Sequence, residues 1–134
     1  MDYTFLTEKA REAAKNSYSP YSGFAVGAAL LLADGRIFCG CNCENASYGA
    51  SLCAERAAFS AAVSSGARKF EAIAVVGFGP DGERDKVMPC GICRQVMAEF
   101  CDGKFRVVVT ENGKNKIFSL SELLPSAFAD FRAD

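Results

Sequence analysis

Residues 24–44 of this chain read FAVGAALLLADGRIFCGCNCE. Residues 24–32 are an almost continuous apolar run and have the pattern of a strand. Residues 33–36, ADGR, form a turn, and residues 37–44 have the pattern of a second strand. The stretch therefore predicts an antiparallel hairpin.

Helical and strand patterns alternate around this hairpin. Helices are predicted at 4–16, 52–65 and 91–100, with a short one at 120–124. Strands are predicted at 70–77, 106–110 and 116–119, and a polar loop is predicted at 79–87. A hairpin followed by helix–strand–helix–strand and a final hairpin gives a mixed sheet with helices on both faces. We therefore predict one domain over 1–134, an α/β fold of three α/β/α layers with a mixed five-stranded sheet.

The charge balance indicates the kind of ligand. Fifteen Lys and Arg residues stand against sixteen Asp and Glu residues, and Arg68-Lys69 is the longest basic run. Strong nucleic-acid binding usually needs a clustered basic face, so we expect a small, nearly neutral ligand and no nucleic-acid partner.

No apolar run approaches the ~20 residues that span a bilayer. The N-terminus also lacks the pattern of a secretory signal. We expect a cytoplasmic protein with no membrane partner.

Seven cysteines and the absence of histidine restrict the chemistry. An odd number of cysteines without a secretory signal is not typical of a disulfide framework. Without histidine there is no Ser/His or Cys/His nucleophile pair and no histidine-ligated metal. Any reaction must therefore use the side chains of Cys, Glu, Asp, Lys, Arg or Tyr.

Two short motifs predict a metal site. Cys90 and Cys93 belong to PCGICRQ (89–95), a C-x-x-C pair at a predicted helix start, and Cys53 opens the motif CAER (53–56). The positive end of a helix dipole favours thiolates. Three thiolates would leave the fourth position of a zinc ion for water, as in catalytic sites.

Three charged residues of these motifs receive roles. Glu55 is predicted to carry protons beside the metal. Arg56 and Arg94 lie three and four residues after a ligand cysteine, so each can share that cysteine's helix face. We expect both guanidinium groups to donate hydrogen bonds to the sulfurs.

Other uses of the cysteines stay open. The C-x-x-C pair is also compatible with disulfide exchange, and a four-cysteine structural zinc site is compatible with the count. Cys39, Cys41 and Cys43 share one face of a strand, but neighbours are ~7 Å apart along the chain. Sulfurs around one zinc lie only about 3.8 Å apart, given Zn–S near 2.3 Å. We expect these three, and Cys101, to be core residues.

Five segments between residues 19 and 128 resemble the small, homotetrameric cytidine deaminases: SPYSGFAVGAAL, GCNCENASYG, CAERAAF, MPCGICRQ and SELLPSAF. Zinc deaminases carry a P-C-x-x-C signature, a three-cysteine variant and a non-ligand Glu. The resemblance implies one Zn²⁺ per subunit. It also implies hydrolytic deamination of cytidine and deoxycytidine to uridine and deoxyuridine in pyrimidine salvage, with Glu55 protonating N3 of the ring and then the departing amine.

The resemblance also implies substrate contacts. Phe24 would pack on cytosine, Asn42 and Glu44 would bind the ribose hydroxyls, and Ala54 would touch the substrate. Strand alternation independently places Asn42 and Glu44 together on the face opposite the cysteines. The loop with Ala46 and Tyr48, and the tail residue Phe128, would help to complete a neighbouring subunit's site in a tetramer.

Two other functions remain as alternatives. Deaminases of cytosine-containing antibiotic nucleosides, such as blasticidin S, share these motifs. A non-catalytic binding module stabilised by zinc is also compatible with the cysteines, but it leaves Glu55 without a purpose.

Overall fold

The computed structural model describes residues 2–133. Its elements are α1 Thr4–Ala14, β1 Ala25–Leu32, β2 Ile37–Cys41, α2 Ala54–Ser64, β3 Phe70–Gly79, β4 Gly82–Arg84, α3 Gly91–Phe100, β5 Arg106–Glu111, β6 Lys114–Ser119 and α4 Leu120–Leu123. A single 3₁₀ turn, Tyr48–Ala50, lies between β2 and α2. The helix and strand pattern predicted from sequence is confirmed, with ends that differ by a few residues.

The sheet is mixed. Its strands lie in the order β2-β1-β3-β5-β6, and β4 pairs with β3 beside this path. Only β3 and β5 are parallel, while the other pairs are antiparallel. Strand β5 pairs with residues 72–74 of β3 and β4 with residues 77–79, so both occupy the same edge of β3.

The predicted count of five strands is wrong, because the structure has six. The additional strand, β4, lies inside the loop predicted at 79–87 and has only three residues. The preceding Pro80-Asp81-Gly82 has the composition of a tight turn, which reverses β3 onto β4. A strand this short carries no periodic signal, and the turn residues alone could have revealed it.

Helices cover both faces of the sheet, which confirms the three layers. One core cluster joins α1 to residues such as Leu31, Ala74 and Val108. The other joins α2 and α3 to the opposite face, with Phe59 and Met97 among its fully buried side chains. The start of α2 approaches β2 closely: a Cβ on Gly40 would lie 2.5 Å from the Ala54 carbonyl oxygen.

The cysteines of β2 and its extension are not core residues, contrary to expectation. Cys39 and Cys43 are exposed and Cys41 is half-buried. Strand β2 is the edge of the sheet, and its residues are covered only in part. Cys101 does pack against the larger core cluster.

Within residues 2–133, no helix has both the length and the apolar character required to cross a bilayer.

Candidate active site

Three thiols meet at the N-termini of two helices. Cys53 is the N-cap of α2, Cys90 is the N-cap of α3, and Cys93 lies in the first turn of α3. The Cys53 and Cys90 sulfurs are 3.8 Å apart, and the Cys90 and Cys93 sulfurs are 3.6 Å apart. All three sulfurs lie within 4.8 Å of one another.

This spacing fits zinc. Three thiolates at Zn–S distances near 2.3 Å in tetrahedral geometry require sulfurs about 3.8 Å apart. The measured separations match, and soft thiolates are ligands that zinc prefers. The three cysteines can therefore hold one Zn²⁺ and leave a coordination position without a protein ligand.

Long-range pairing brings the two helix ends together. Residues 42–44 continue beyond β2 as a short extended segment, and Cys43 exchanges both backbone hydrogen bonds with Leu52. This pairing fixes the entry of the chain into α2. Because α2 and α3 pack on the same face of the sheet, their N-cap residues Cys53 and Cys90 can lie side by side.

The thiols are unequal in acidity. Hydrogen bonds from Cys93, Arg56 and Cys90 lower the pKa of Cys53 to about 5 against the opposing effect of burial. The hydrogen bond to Cys53 and burial raise the pKa of Cys93. The Cys53 thiolate thus forms readily near neutral pH, whereas the Cys93 thiol must release its proton when a cation binds.

The two arginines behave differently. Arg56 Nη2 donates a 3.3 Å hydrogen bond to the Cys53 sulfur, as expected from its position on the helix. Arg94 Nε instead donates to the Pro89 carbonyl at 2.8 Å, and its Nη1 donates to the Leu123 carbonyl at 2.7 Å. The expectation that Arg94 bonds the sulfurs is wrong, because the hydrogen bonds that the guanidinium group makes in the described part of the chain go to these two backbone carbonyls. Arg94 anchors the backbone that precedes Cys90.

Glu55 is a buried carboxyl group beside the thiols. It is the second residue of α2, and only 5% of its surface is exposed. Burial raises the pKa of Glu55 to about 7, and the nearby Cys53 charge acts in the same direction. A carboxyl group in this setting can both accept and release a proton.

A cavity of about 510 Å³ opens over the thiols and Glu55. Nine of the residues singled out from the sequence line it: Phe24, Asn42, Glu44, Tyr48, Cys53, Ala54, Glu55, Arg56 and Cys90. Cys93 is buried among the core residues. Ala46, Arg94 and Phe128 are not part of the lining. Phe128 is 70% exposed and stacks on Phe131 with ring centroids 4.7 Å apart.

Asn42 and Glu44, which belong to the extended segment 42–44, both line this cavity. Asn42 Nδ2 donates to the Phe24 carbonyl at 2.8 Å, and its Oδ1 accepts from the Val26 N–H at 2.9 Å. Glu44 Oε1 accepts from the backbone N–H groups of Tyr21 and Ser22. Both side chains therefore fix the loop that precedes β1.

Sequence reasoning missed eight lining residues: Ser22, Val26, Gly49, Ser51, Leu52, Val87, Met88 and Ile92. Their neighbours in the chain gave the available signal, since Val87 and Met88 precede the Pro89-Cys90 motif and Ser22 precedes Phe24. These residues supply most of the apolar wall of the cavity, and predominantly apolar walls are common in small-molecule sites.

Comparisons with known proteins agree with this geometry. Residues 2–110 match the family described as the cytidine and deoxycytidylate deaminase zinc-binding region. A cytidine deaminase of Sporosarcina psychrophila is 48% identical over 130 residues, which are 96% of this chain and 93% of that protein.

Solved structures extend the likeness to the fold. The crystal structure of cytidine deaminase from Burkholderia pseudomallei has a TM-score of 0.87 and 46% identity, covering 96% of this chain and 100% of that one. The crystal structure of cytidine deaminase from Mycobacterium tuberculosis has a TM-score of 0.79 and 42% identity, covering 96% and 98%.

Proposed function

The chain belongs to the cytidine and deoxycytidylate deaminase family, and from that premise we propose that it deaminates cytidine and deoxycytidine hydrolytically, giving uridine or deoxyuridine and ammonia. One observation carries the proposal: three thiols at zinc spacing and the buried Glu55 lie at the same cavity. A four-cysteine structural site, by contrast, would have no open position for water.

Cys53, Cys90 and Cys93 hold the zinc ion in this proposal. When bound, zinc supplies Lewis-acid chemistry that lowers the pKa of water toward neutrality. Arg56 withdraws charge from the Cys53 thiolate through its hydrogen bond, which counteracts the electron donation of three sulfurs.

Glu55 moves the protons of the reaction. It accepts a proton from the water that adds to C4 of cytosine and delivers it to N3. It then takes the remaining proton from the hydroxyl group on C4 and transfers it to the exocyclic amine, which leaves as ammonia as the C4 carbonyl forms. Its burial excludes bulk water, so the proton passes between the carboxyl group and the substrate.

The cavity walls suit a free nucleoside. Phe24 offers an aromatic face for the cytosine ring, and Ala54 is part of the same cavity wall. Asn42 and Glu44 supply polar groups for the sugar hydroxyls. Among the described residues that line the cavity, Arg56 is the one cationic side chain, and it is already bonded to sulfur. Because the lining also carries Glu44 and Glu55, their carboxyl groups disfavour a phosphate group at this site.

The proposal includes assembly and location. One catalytic domain formed by residues 1–134 assembles as a homotetramer in the cytoplasm, without nucleic-acid or membrane partners. The loop with Ala46 and Tyr48 and the tail with Phe128 then complete a neighbouring site. The exposure of Phe128 and Tyr48 in the isolated chain supports such a contact, since large apolar groups favour burial.

A substrate panel tests the function. Cytidine, deoxycytidine, cytidine monophosphate and blasticidin S are assayed by the fall in near-ultraviolet absorbance, with and without a chelator. We expect turnover of the two nucleosides, about one zinc per chain by elemental analysis, and loss of activity after chelation. A zinc-free protein with full activity would contradict the proposal.

Glu55→Gln tests the proton carrier. The variant should keep zinc and fold, while kcat for cytidine falls by roughly 10³-fold, within the range of general acid–base contributions. Glu99→Gln, at an exposed position on the helix α3, is the matched control and should keep the wild-type kcat. Substantial residual turnover in Glu55→Gln would rule out the assigned role.

A further inference from the structure

The Ser22 hydroxyl joins two cavity residues that come from different segments of the chain. Its Oγ donates a 2.5 Å hydrogen bond to Glu44 Oε2 and accepts a 3.0 Å hydrogen bond from the Phe24 N–H. Ser22, Phe24 and Glu44 all line the cavity. One hydroxyl group therefore contacts both the carboxylate and the backbone of the aromatic wall.

Glu44 is held almost entirely by the loop that contains Ser22. Its Oε1 accepts from the N–H groups of Tyr21 at 2.9 Å and Ser22 at 3.1 Å, and its Oε2 accepts from the Ser22 hydroxyl. A carboxylate has about four acceptor positions. Three are filled by protein donors, so one remains for a donor of a ligand. These hydrogen bonds also lower the pKa of Glu44, which keeps it an acceptor.

The Phe24 N–H fixes the direction of the Ser22 hydroxyl. Because one lone pair of Oγ is occupied by that N–H, the hydroxyl proton is free to point to Glu44. At the other side of the same residue, the Phe24 carbonyl accepts from Asn42 Nδ2 at 2.8 Å. The aromatic wall and the carboxylate are thereby held in a fixed relation.

We propose that Ser22 is a positioning residue for sugar recognition: it holds the Glu44 carboxylate so that its remaining acceptor position receives a hydroxyl group of the nucleoside. The inference rests on the proposed function, because it assigns the hydroxyl donor to the substrate. Ser22 itself acts through Glu44 and takes no part in the proton transfers of Glu55.

The test compares Ser22→Ala, Ser22→Cys and Ser22→Thr on cytidine and on 2′,3′-dideoxycytidine, which lacks the 2′ and 3′ hydroxyl groups and keeps the 5′ hydroxyl. A hydrogen bond to a charged group is worth about one to two powers of ten in binding. We expect Ser22→Ala to raise KM for cytidine about tenfold and to change kcat less than about twofold, the pattern of lost uniform binding. Threonine keeps the hydroxyl and should restore KM to within about twofold.

Two further readouts separate positioning from a structural role. The inhibition constant of uridine, which carries the same sugar, should rise with KM, whereas KM for dideoxycytidine should change less than about twofold. Ser22→Cys keeps a similar shape with a weak donor and should resemble alanine. Ser60→Ala, at an exposed position on α2, is the control and should match wild type.

The outcomes are distinct. If wild-type protein turns over cytidine and Ser22→Ala leaves KM unchanged, raises KM equally for dideoxycytidine, or lowers only kcat, the role of Ser22 is overturned while the function stands. A threonine variant as impaired as alanine also overturns it. If wild-type protein with zinc deaminates no cytidine, the proposed function fails and this inference fails with it.

Discussion

Replacing Gly77 with alanine tests how tightly the cavity wall is built. Gly77 lies on β3 opposite Val26 of β1. A Cβ there would lie 2.8 Å from Phe24 Cζ and 2.9 and 3.1 Å from the two methyl carbons of Val87. Carbon atoms pack at about 3.5–4.0 Å, so the ring tip must retreat by about 0.7 Å.

The magnitude follows from two opposing terms. Overpacking typically lowers the free energy of unfolding by about 1–3 kcal/mol. Replacing glycine by alanine within a strand raises it by about 0.5–1 kcal/mol, because alanine loses less backbone entropy on folding. We expect Gly77→Ala to lower the free energy of unfolding by about 1–2 kcal/mol, which corresponds to roughly 3–8 °C in Tm. Because Phe24 and Val87 line the cavity, kcat/KM for cytidine should also fall about tenfold.

The assays are thermal melting by circular dichroism and initial rates, both with zinc present. Gly49→Ala is the steric control for stability, since a Cβ at Gly49 meets no atom within 4 Å. We expect its free energy of unfolding to change by less than about 0.5 kcal/mol. In a Phe24→Leu background the ring tip is absent, so Gly77→Ala should cost less.

Two results would refute this reasoning. A Gly77→Ala variant with wild-type Tm and kcat/KM would show that the wall adapts without cost. An equal loss of stability in the wild-type and Phe24→Leu backgrounds would show that the cost does not come from the Phe24 ring.

Three further predictions concern the metal and the pH dependence of stability. Cys90→Ala should lose zinc on dialysis, measured by elemental analysis, whereas Cys101→Ala should retain about one ion per chain. Arg56→Ala should weaken zinc binding about 10–100-fold in a chelator competition, and unchanged affinity would contradict its role beside Cys53. Hydrogen bonding from Arg11 lowers the pKa of Glu83 in the folded protein. The ionised Glu83 carboxylate therefore stabilises the fold above the pKa that Glu83 has in the unfolded chain, and this stabilisation is lost as the pH falls through the lower pKa of the folded state. The loss in free energy of unfolding caused by Glu83→Gln should therefore be larger at pH 7 than at pH 3 in urea titrations, and equal losses would contradict this.

Local patterns explain why much of the fold was predictable. The apolar run in β1, the C-x-x-C pair at the start of α3 and the alanine-rich α2 each carry their signal within about ten residues. The zinc-binding residues were also predictable, because a chain without histidine leaves cysteine as the natural zinc ligand. The individual roles of the substrate-binding residues remain predictions.

Side-chain partners were less predictable. Arg94 and Leu123 are 29 residues apart in the chain, and Ser22 and Glu44 are 22 apart. Helical spacing placed Arg94 on the face of Cys90, but a long guanidinium group binds whichever acceptors the folded chain brings near, and here these are two carbonyls.

Local sequence patterns were enough to predict most helices and strands and the residue types that can bind zinc, because periodicity and short motifs act over a few residues. The folded structure was needed to show that β4 forms a sixth strand, that Cys39 lies exposed at a sheet edge, and that one serine hydroxyl links Phe24 to Glu44. These features depend on contacts between distant segments, whose geometry is fixed when the helices and the sheet pack together.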